Sequence, residues 1–176
     1  MSDRFEPAAI LAGAISLLTV FSGDPFAAYP QLLTIWPEPL VSRARHDTVE
    51  SLIDIDDEDF GGIFLVMAGT QVVGITGYYL YNDDGTELGL RWHGLLPHWR
   101  GAGRSAEVID LLLAAIRPCV PQATTLIELV PDTEYGVALR RHFGKLGFIS
   151  VGPVEQYDWS SHGWQPYHLA IGLADT

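Results

Sequence analysis

The chain has 176 residues, 48% of them apolar and 18% charged, with a formal net charge of −12. That length suits one domain, residues 1–176, able to bury a core without disulfides or metals, and the composition excludes a disordered chain. The acidic balance excludes a general nucleic-acid binder, whose phosphate contacts need Lys and Arg; a cationic ligand or simply a solubilising surface fits it.

Residues 8–21 form the longest apolar stretch near the start. It is too short to span a membrane, and Arg4 alone makes a poor signal-peptide head, so no membrane partner is expected. The single Cys119 has no partner for an internal disulfide, and a reducing cytoplasm is the simplest compartment. Residues 15–21 are read as a first strand. Residues 24–36 and 40–53 are read as helices parted by Pro37 and Pro39. The acidic run 54–59 closes a helix or forms a solvated loop before Gly61 and Gly62.

The middle third carries strand signals. Residues 63–68 are apolar, Gly69 and Thr70 offer a turn, and 71–81 are rich in Val, Ile and Tyr. Asn82-Asp83-Asp84-Gly85 is a second turn signal, and 86–96 read as a third strand. Three strands joined this tightly predict an antiparallel meander. The period then changes: across 105–116, Val108, Leu112 and Ala115 share one helical face, with Ile109 and Ile116 beside it, and Pro118 ends the helix. A strand over 125–130 follows, then a helix over 134–146 on the spacing of Leu139, Phe143 and Leu146. Gly147 supplies a left-handed cap over which Phe148 packs. Strands near 149–159 and 167–173 finish the chain. The expected class is α/β, a mixed sheet in which an antiparallel meander precedes helix, strand, helix and two C-terminal strands.

The segment Leu95-Leu96-Pro97-His98-Trp99-Arg100-Gly101-Ala102-Gly103-Arg104-Ser105 holds the strongest chemical signal. A strand ends, two glycines allow a tight turn, and a helix begins. The first helical turn has unpaired N–H groups and the positive end of the helix dipole, and Gly101 and Gly103 keep side chains away from them, so a pyrophosphate is the natural occupant. Arg100 and Arg104 add charge for other phosphates. Seven of the ten basic residues lie between Arg91 and Lys145, a local bias that also suits an anionic ligand. The pattern Gly101 to Ala106 matches a dinucleotide fingerprint too, with Glu128 near the end of the next strand. Two features oppose that alternative: the strand before it belongs to a meander rather than a βαβ unit, and Pro97 to Arg100 separate strand from glycines. A turn with no ligand is the remaining alternative.

The same segment resembles the acetyl-CoA signature of the GCN5-related N-acetyltransferases: a hydrophobe, one residue, proline, two residues, then Arg-Gly-x-Gly. Ile127-Glu128-Leu129 resembles the family's next strand, and Lys145-Leu146-Gly147-Phe148 its next helix ending. The likeness covers residues 62–167. It implies transfer of an acetyl group from acetyl-CoA to a primary amine, on a small molecule or a peptide, by direct transfer in a ternary complex. The backbone of Leu95, Leu96 and Pro97 would hold the acyl end, with the Leu95 N–H on the carbonyl oxygen. The cradle from Gly101 through Ala102 and Gly103 to Arg104 and Ser105 would hold the pyrophosphate. His98 stands where the family has Gln or Arg.

An amine with a pKa of about 10 must lose a proton before it attacks. Glu128 is the leading candidate base, Glu87 the second and His93 the third; each also has an ordinary structural reading. The family's tyrosine beside the cofactor sulfur falls on Phe143, which has no proton to give. Tyr135, His142, Tyr157 or water would then serve, or the chain binds acyl-CoA without catalysis. Residues 131–136 are about three longer than the family pattern. The histidines lack ligand spacing with Cys or carboxylates, so no metal is expected. Cys119, after a helix C-terminus, is not marked as a nucleophile. Monomer and homodimer remain open, and so does the identity of the amine.

Overall fold

The computed structural model describes residues 15–20, 22–53, 61–158 and 160–172. Phe21, the acidic run 54–59, Trp159 and Leu173 lie outside them. Among the described residues are eight strands and four α-helices: β1 (Ile15–Val20), α1 (Pro25–Ala28), α2 (Leu40–Ile53), β2 (Gly61–Ala68), β3 (Gln71–Leu80), β4 (Glu87–Leu90), β5 (Gly94–Leu95), α3 (Arg104–Ile116), β6 (Thr125–Pro131), α4 (Glu134–Lys145), β7 (Ile149–Ser150) and β8 (Trp164–Ala170). The mixed α/β class and the order of elements agree with the sequence reading.

The chain forms two compact units. One is drawn from Met1–Glu58, Gly62–Gly77 and Trp92–Leu113, the other from Asp59–Gly61, Tyr78–Arg91 and Ala114–Thr176. In the first unit β1 runs antiparallel to β2, β2 neighbours β3, and β5 pairs antiparallel with β3 through Gly74 opposite Leu95 and Ile75 opposite Gly94. Its core includes Phe26, Leu32, Ile35, Val66, Val73, Ile75, Trp99, Val108 and Leu112. In the second, the end of β3 pairs with β4, β4 runs parallel to β6, and β6 and β7 both pair antiparallel with β8. Its buried residues include Leu88, Leu126, Ile127, Val130, Phe143 and Phe148.

Five local expectations change. The helix expected over 24–36 is two pieces, α1 and a 3₁₀ turn at Pro30–Thr34, because Pro30 lacks an N–H and restricts Tyr29. Asp24 caps α1, accepting from the N–H groups of Phe26 and Ala27, and Arg45 bonds its other oxygen at 2.8 Å. The strand expected over 86–96 breaks between β4 and β5, where Trp92 takes a left-handed φ of 42°. Its indole N–H donates to Asp47 and its ring meets Trp36 edge-on, 5.5 Å between centroids, contacts that hold the kink. The strand expected over 149–159 shortens to β7 and a lone bridge from Glu155 to Trp164, because Gly152 is left-handed (φ 70°) and Pro153 donates no ladder bond. The last strand starts earlier than expected, at Trp164. Ala115, placed by spacing on the buried face of α3, is exposed at its margin.

Candidate functional site

In the first unit, β5 and the turn after it arrange the backbone. Leu96 N–H donates to Val73 O across to β3 at 2.9 Å. Successive residues of a strand point their polar groups to opposite edges, so the N–H and carbonyl of Leu95 turn away from β3. The Leu95 carbonyl accepts from Arg100 Nε at 3.1 Å, and the same guanidinium bonds Ile35 O. Leu95, Leu96 and Trp99 are buried, whereas Pro97 and His98 of the 3₁₀ turn Pro97–Trp99 are exposed.

Beyond Arg100 the backbone is left-handed three times running: Gly101 at φ 91°, Ala102 at 50° and Gly103 at 75°. Glycine tolerates this freely; for Ala102 it is a strained state of the kind found at ligand sites. A Cβ at Gly101 or Gly103 would meet nothing within 4 Å, so the turn faces open space. Helix α3 then runs for 13 residues. Arg104 N–H closes on Gly101 O at 3.1 Å, while the N–H groups of Gly101, Ala102 and Gly103 meet no acceptor among the described residues. Those three amides stand just before a helix N-terminus, a chemistry that suits an anion. The Arg104 guanidinium lies over the Trp99 ring at 5.2 Å with Glu107 4.0 Å away, and is therefore held inward.

A polar chain links buried Thr76 and His93 to half-buried Ser105, just after the turn. His93 Nδ1 is 3.1 Å from Thr76 Oγ1, and its Nε2 is 2.6 Å from Ser105 Oγ. The sequence reading of His93 as a third base or an ordinary structural histidine names no partner for it and passes over Thr76. The one local signal was a hydroxyl inside the apolar run of β3.

The second unit holds the carboxylates. The parallel ladder of β4 with β6 matches Glu87 to Thr125, Leu88 to Leu126 and Gly89 to Ile127. Glu128 is the next residue of β6 and lies opposite Tyr167 of β8. Its side chain as a whole is half-buried, but Oε2 is out of solvent and has no hydrogen-bond partner among the described residues. Burial pushes its carboxyl well above the ordinary value of 4.5. Glu87 is half-buried at the head of β4. Phe143 of α4 is 2% exposed, edge-on to Phe148 and to His142 at 5.2 Å each. Gly147 takes the expected left-handed cap at φ 92°. Tyr157 donates to Glu155 Oε2 at 2.7 Å; burial, that bond and Tyr81 raise its phenol, which stays protonated. Tyr135 is half-buried in the first turn of α4.

His46, Asp47 and Glu50 on α2 bring ligand atoms within 4.8 Å of one another, a spacing the sequence reading overlooked. Asp47 is already bound to Arg43 at 2.6 Å and to Trp92, and His46 to Glu50 at 3.1 Å. No helix among the described residues is long and apolar enough to cross a membrane.

No protein-family model and no curated protein match the chain. Solved structures do. A protein described as a GNAT-family acetyltransferase from Desulfovibrio desulfuricans superposes with a TM-score of 0.70 at 12% identity, covering 90% of this chain and 100% of that one. The aminoglycoside acetyltransferase AAC(6')-Ib, in complex with coenzyme A and kanamycin, gives 0.62 at 14% identity, covering 89% and 95%. An acetyltransferase from Salmonella typhimurium that modifies the N-terminal serine of ribosomal protein L7/L12 gives 0.61 at 13%, covering 90% and 100%. At such identities the likeness speaks for the fold, and the fold of this chain is that of the GCN5-related N-acetyltransferases.

Proposed function

We propose that residues 1–176 form one catalytic domain, an N-acetyltransferase that moves an acetyl group from acetyl-CoA to a primary amine by direct transfer. The observation that carries this reading is the left-handed run Gly101-Ala102-Gly103. It presents three amides with no acceptor among the described residues at the head of α3, with open space beside the two glycines. The residues fit the donor. Backbone amides and a helix N-terminus suit a diphosphate, and two glycines let it approach. Arg100 contributes by fixing Leu95 and the turn rather than as a bare charge, and Arg104 by packing on Trp99.

The Leu95 N–H, turned away from β3, is the donor for the thioester oxygen as it gains charge. Glu128 accepts the proton that the ammonium group must lose, and its burial makes it a stronger base than a solvated carboxylate. The neutral amine then forms the new C–N bond, the C–S bond breaks, and the thiolate leaves with the electron pair. Phe143 offers that thiolate no proton, so water is the source; the Tyr157 phenol, raised by burial and already donating to Glu155, holds its proton too tightly. Glu87 is the reserve base. The acceptor is a small-molecule or peptide amine, as for relatives of this fold that act on an aminoglycoside or a ribosomal protein. The free, exposed Cys119 fits a reducing cytoplasm.

The second reading, an acyl-CoA-binding module without catalysis, is favoured by buried Phe143. The dinucleotide alternative is disfavoured by the 3₁₀ turn between β5 and the glycines and by the antiparallel β3–β5 pair. Incubating the protein with acetyl-CoA and a panel of amines separates these readings. Amine-dependent release of free thiol supports the transferase. Coenzyme A binding without thiol release would leave the module, and calorimetric binding of NAD but not coenzyme A would leave the oxidoreductase.

A further inference from the structure

We propose that His93 is a positioning residue that locks the phosphate-facing turn in place through a Thr76–His93–Ser105 chain whose first two members are buried. This rests on the acetyl-CoA reading above.

Three elements of the first unit meet at this imidazole. Thr76, in the middle of β3, is fully buried, and His93 is 9% exposed. His93 sits between the Trp92 kink and β5, two residues before Leu95. Ser105 is the second residue of α3. A neutral imidazole has one donor and one acceptor nitrogen, and Thr and Ser hydroxyls take either role. Both contacts, 3.1 Å to Thr76 and 2.6 Å to Ser105, are therefore satisfied in either tautomer.

The turn needs such an anchor. Residues 101–103 are left-handed throughout, include a strained Ala102 and have open space around the two glycines. Packing alone does not hold them. At the entry Arg100 clamps the turn to the carbonyls of Leu95 and Ile35. At the exit Ser105 is clamped to His93, and through it to β3. Three amides aimed at one anion are useful only if their directions are fixed beforehand, since ordering them on binding costs affinity. Losing the exit clamp therefore weakens the grip on the diphosphate and leaves the pantetheine end, held by β5, unaffected.

The test compares ligands with and without a diphosphate. Kd for coenzyme A is measured by calorimetry, and Kd for pantetheine by ligand-observed NMR. In His93→Leu the coenzyme A Kd should rise about tenfold while the pantetheine Kd is unchanged. His93→Gln, which still reaches the Ser105 hydroxyl, should recover part of the loss. An unchanged coenzyme A Kd in a His93→Leu protein that melts like wild type overturns the proposal. So does an equal loss for both ligands, which would mark general damage. Should His93→Leu fail to fold, Ser105→Ala removes only the hydroxyl and must show the same split; no change there overturns the proposal as well. Wild-type protein that binds no coenzyme A at all would instead sink the acetyl-CoA reading itself, and this proposal with it.

Discussion

Residues 95–105 and residues 125–146 carry their chemistry in different parts of the chain. In the first stretch the groups proposed to bind are backbone amides, and the side chains shape the turn that carries them: glycines that permit left-handed backbone, Arg100 and Ser105 tied back to the protein. In the second, one side chain, Glu128, matters for what surrounds it. Its carboxyl is unusual because an oxygen is buried with no partner among the described residues. A backbone cradle depends on conformations that very few residue types allow, whereas a carboxylate's basicity depends on neighbours supplied by distant strands. The first region should therefore be broken by changing φ or filling space, the second by changing charge.

The largest expected effect belongs to charge. Glu128→Gln should lower turnover at pH 7 by about a hundredfold or more, with partial recovery as pH approaches the amine's own pKa of about 10. A variant with full activity at pH 7 removes Glu128 as the base and erases the contrast. Next comes Gly136→Ala at the start of α4. A Cβ there would be driven into the Pro131 carbonyl oxygen, a backbone atom that cannot swing aside. A loss of about 3 kcal/mol in urea unfolding is expected. A neutral result would show that the junction of β6 and α4 relaxes easily.

Gly103→Val should be smaller and of another kind. A Cβ there meets nothing within 4 Å among the described residues, so stability falls mainly by the left-handed strain, about 1 kcal/mol, while the coenzyme A Kd rises about tenfold or more. Equal affinity for coenzyme A would show that no ligand approaches Gly103. The smallest effect is a pH-dependent stability difference. Because the folded carboxyl of Glu128 is raised, its stabilising contribution is complete below the unfolded value of 4.5 and is lost as pH rises towards the folded value. Glu128→Gln should thus melt with wild type near pH 4 and above it at pH 8. Coincident melting at both would mean that water reaches the carboxylate.

Much of the fold was legible because its signals are local. The Val, Ile and Tyr content of 71–81 marks a strand, the Phe143 and Leu146 spacing marks α4, and Gly147 marks its end. Pro30 and the Gly152-Pro153 pair were equally local, and weighing them would have divided the first helix and shortened β7. The break at Trp92 was not readable: a tryptophan rarely takes a positive φ, and here Asp47 and Trp36, from distant segments, hold it there.

What the sequence by itself determined is the order of strands and helices and the placing of a glycine turn at a helix N-terminus. Both follow from short-range sterics and hydrogen bonding, which neighbouring residues set between them. What only the tertiary structure decided is where side chains end up. It buried the Glu128 oxygen, turned Arg104 over Trp99, and brought Thr76, His93 and Ser105 into one chain across up to 29 positions of sequence. Desolvation and long-range contact depend on which elements pack together, and no local pattern of residue types encodes them.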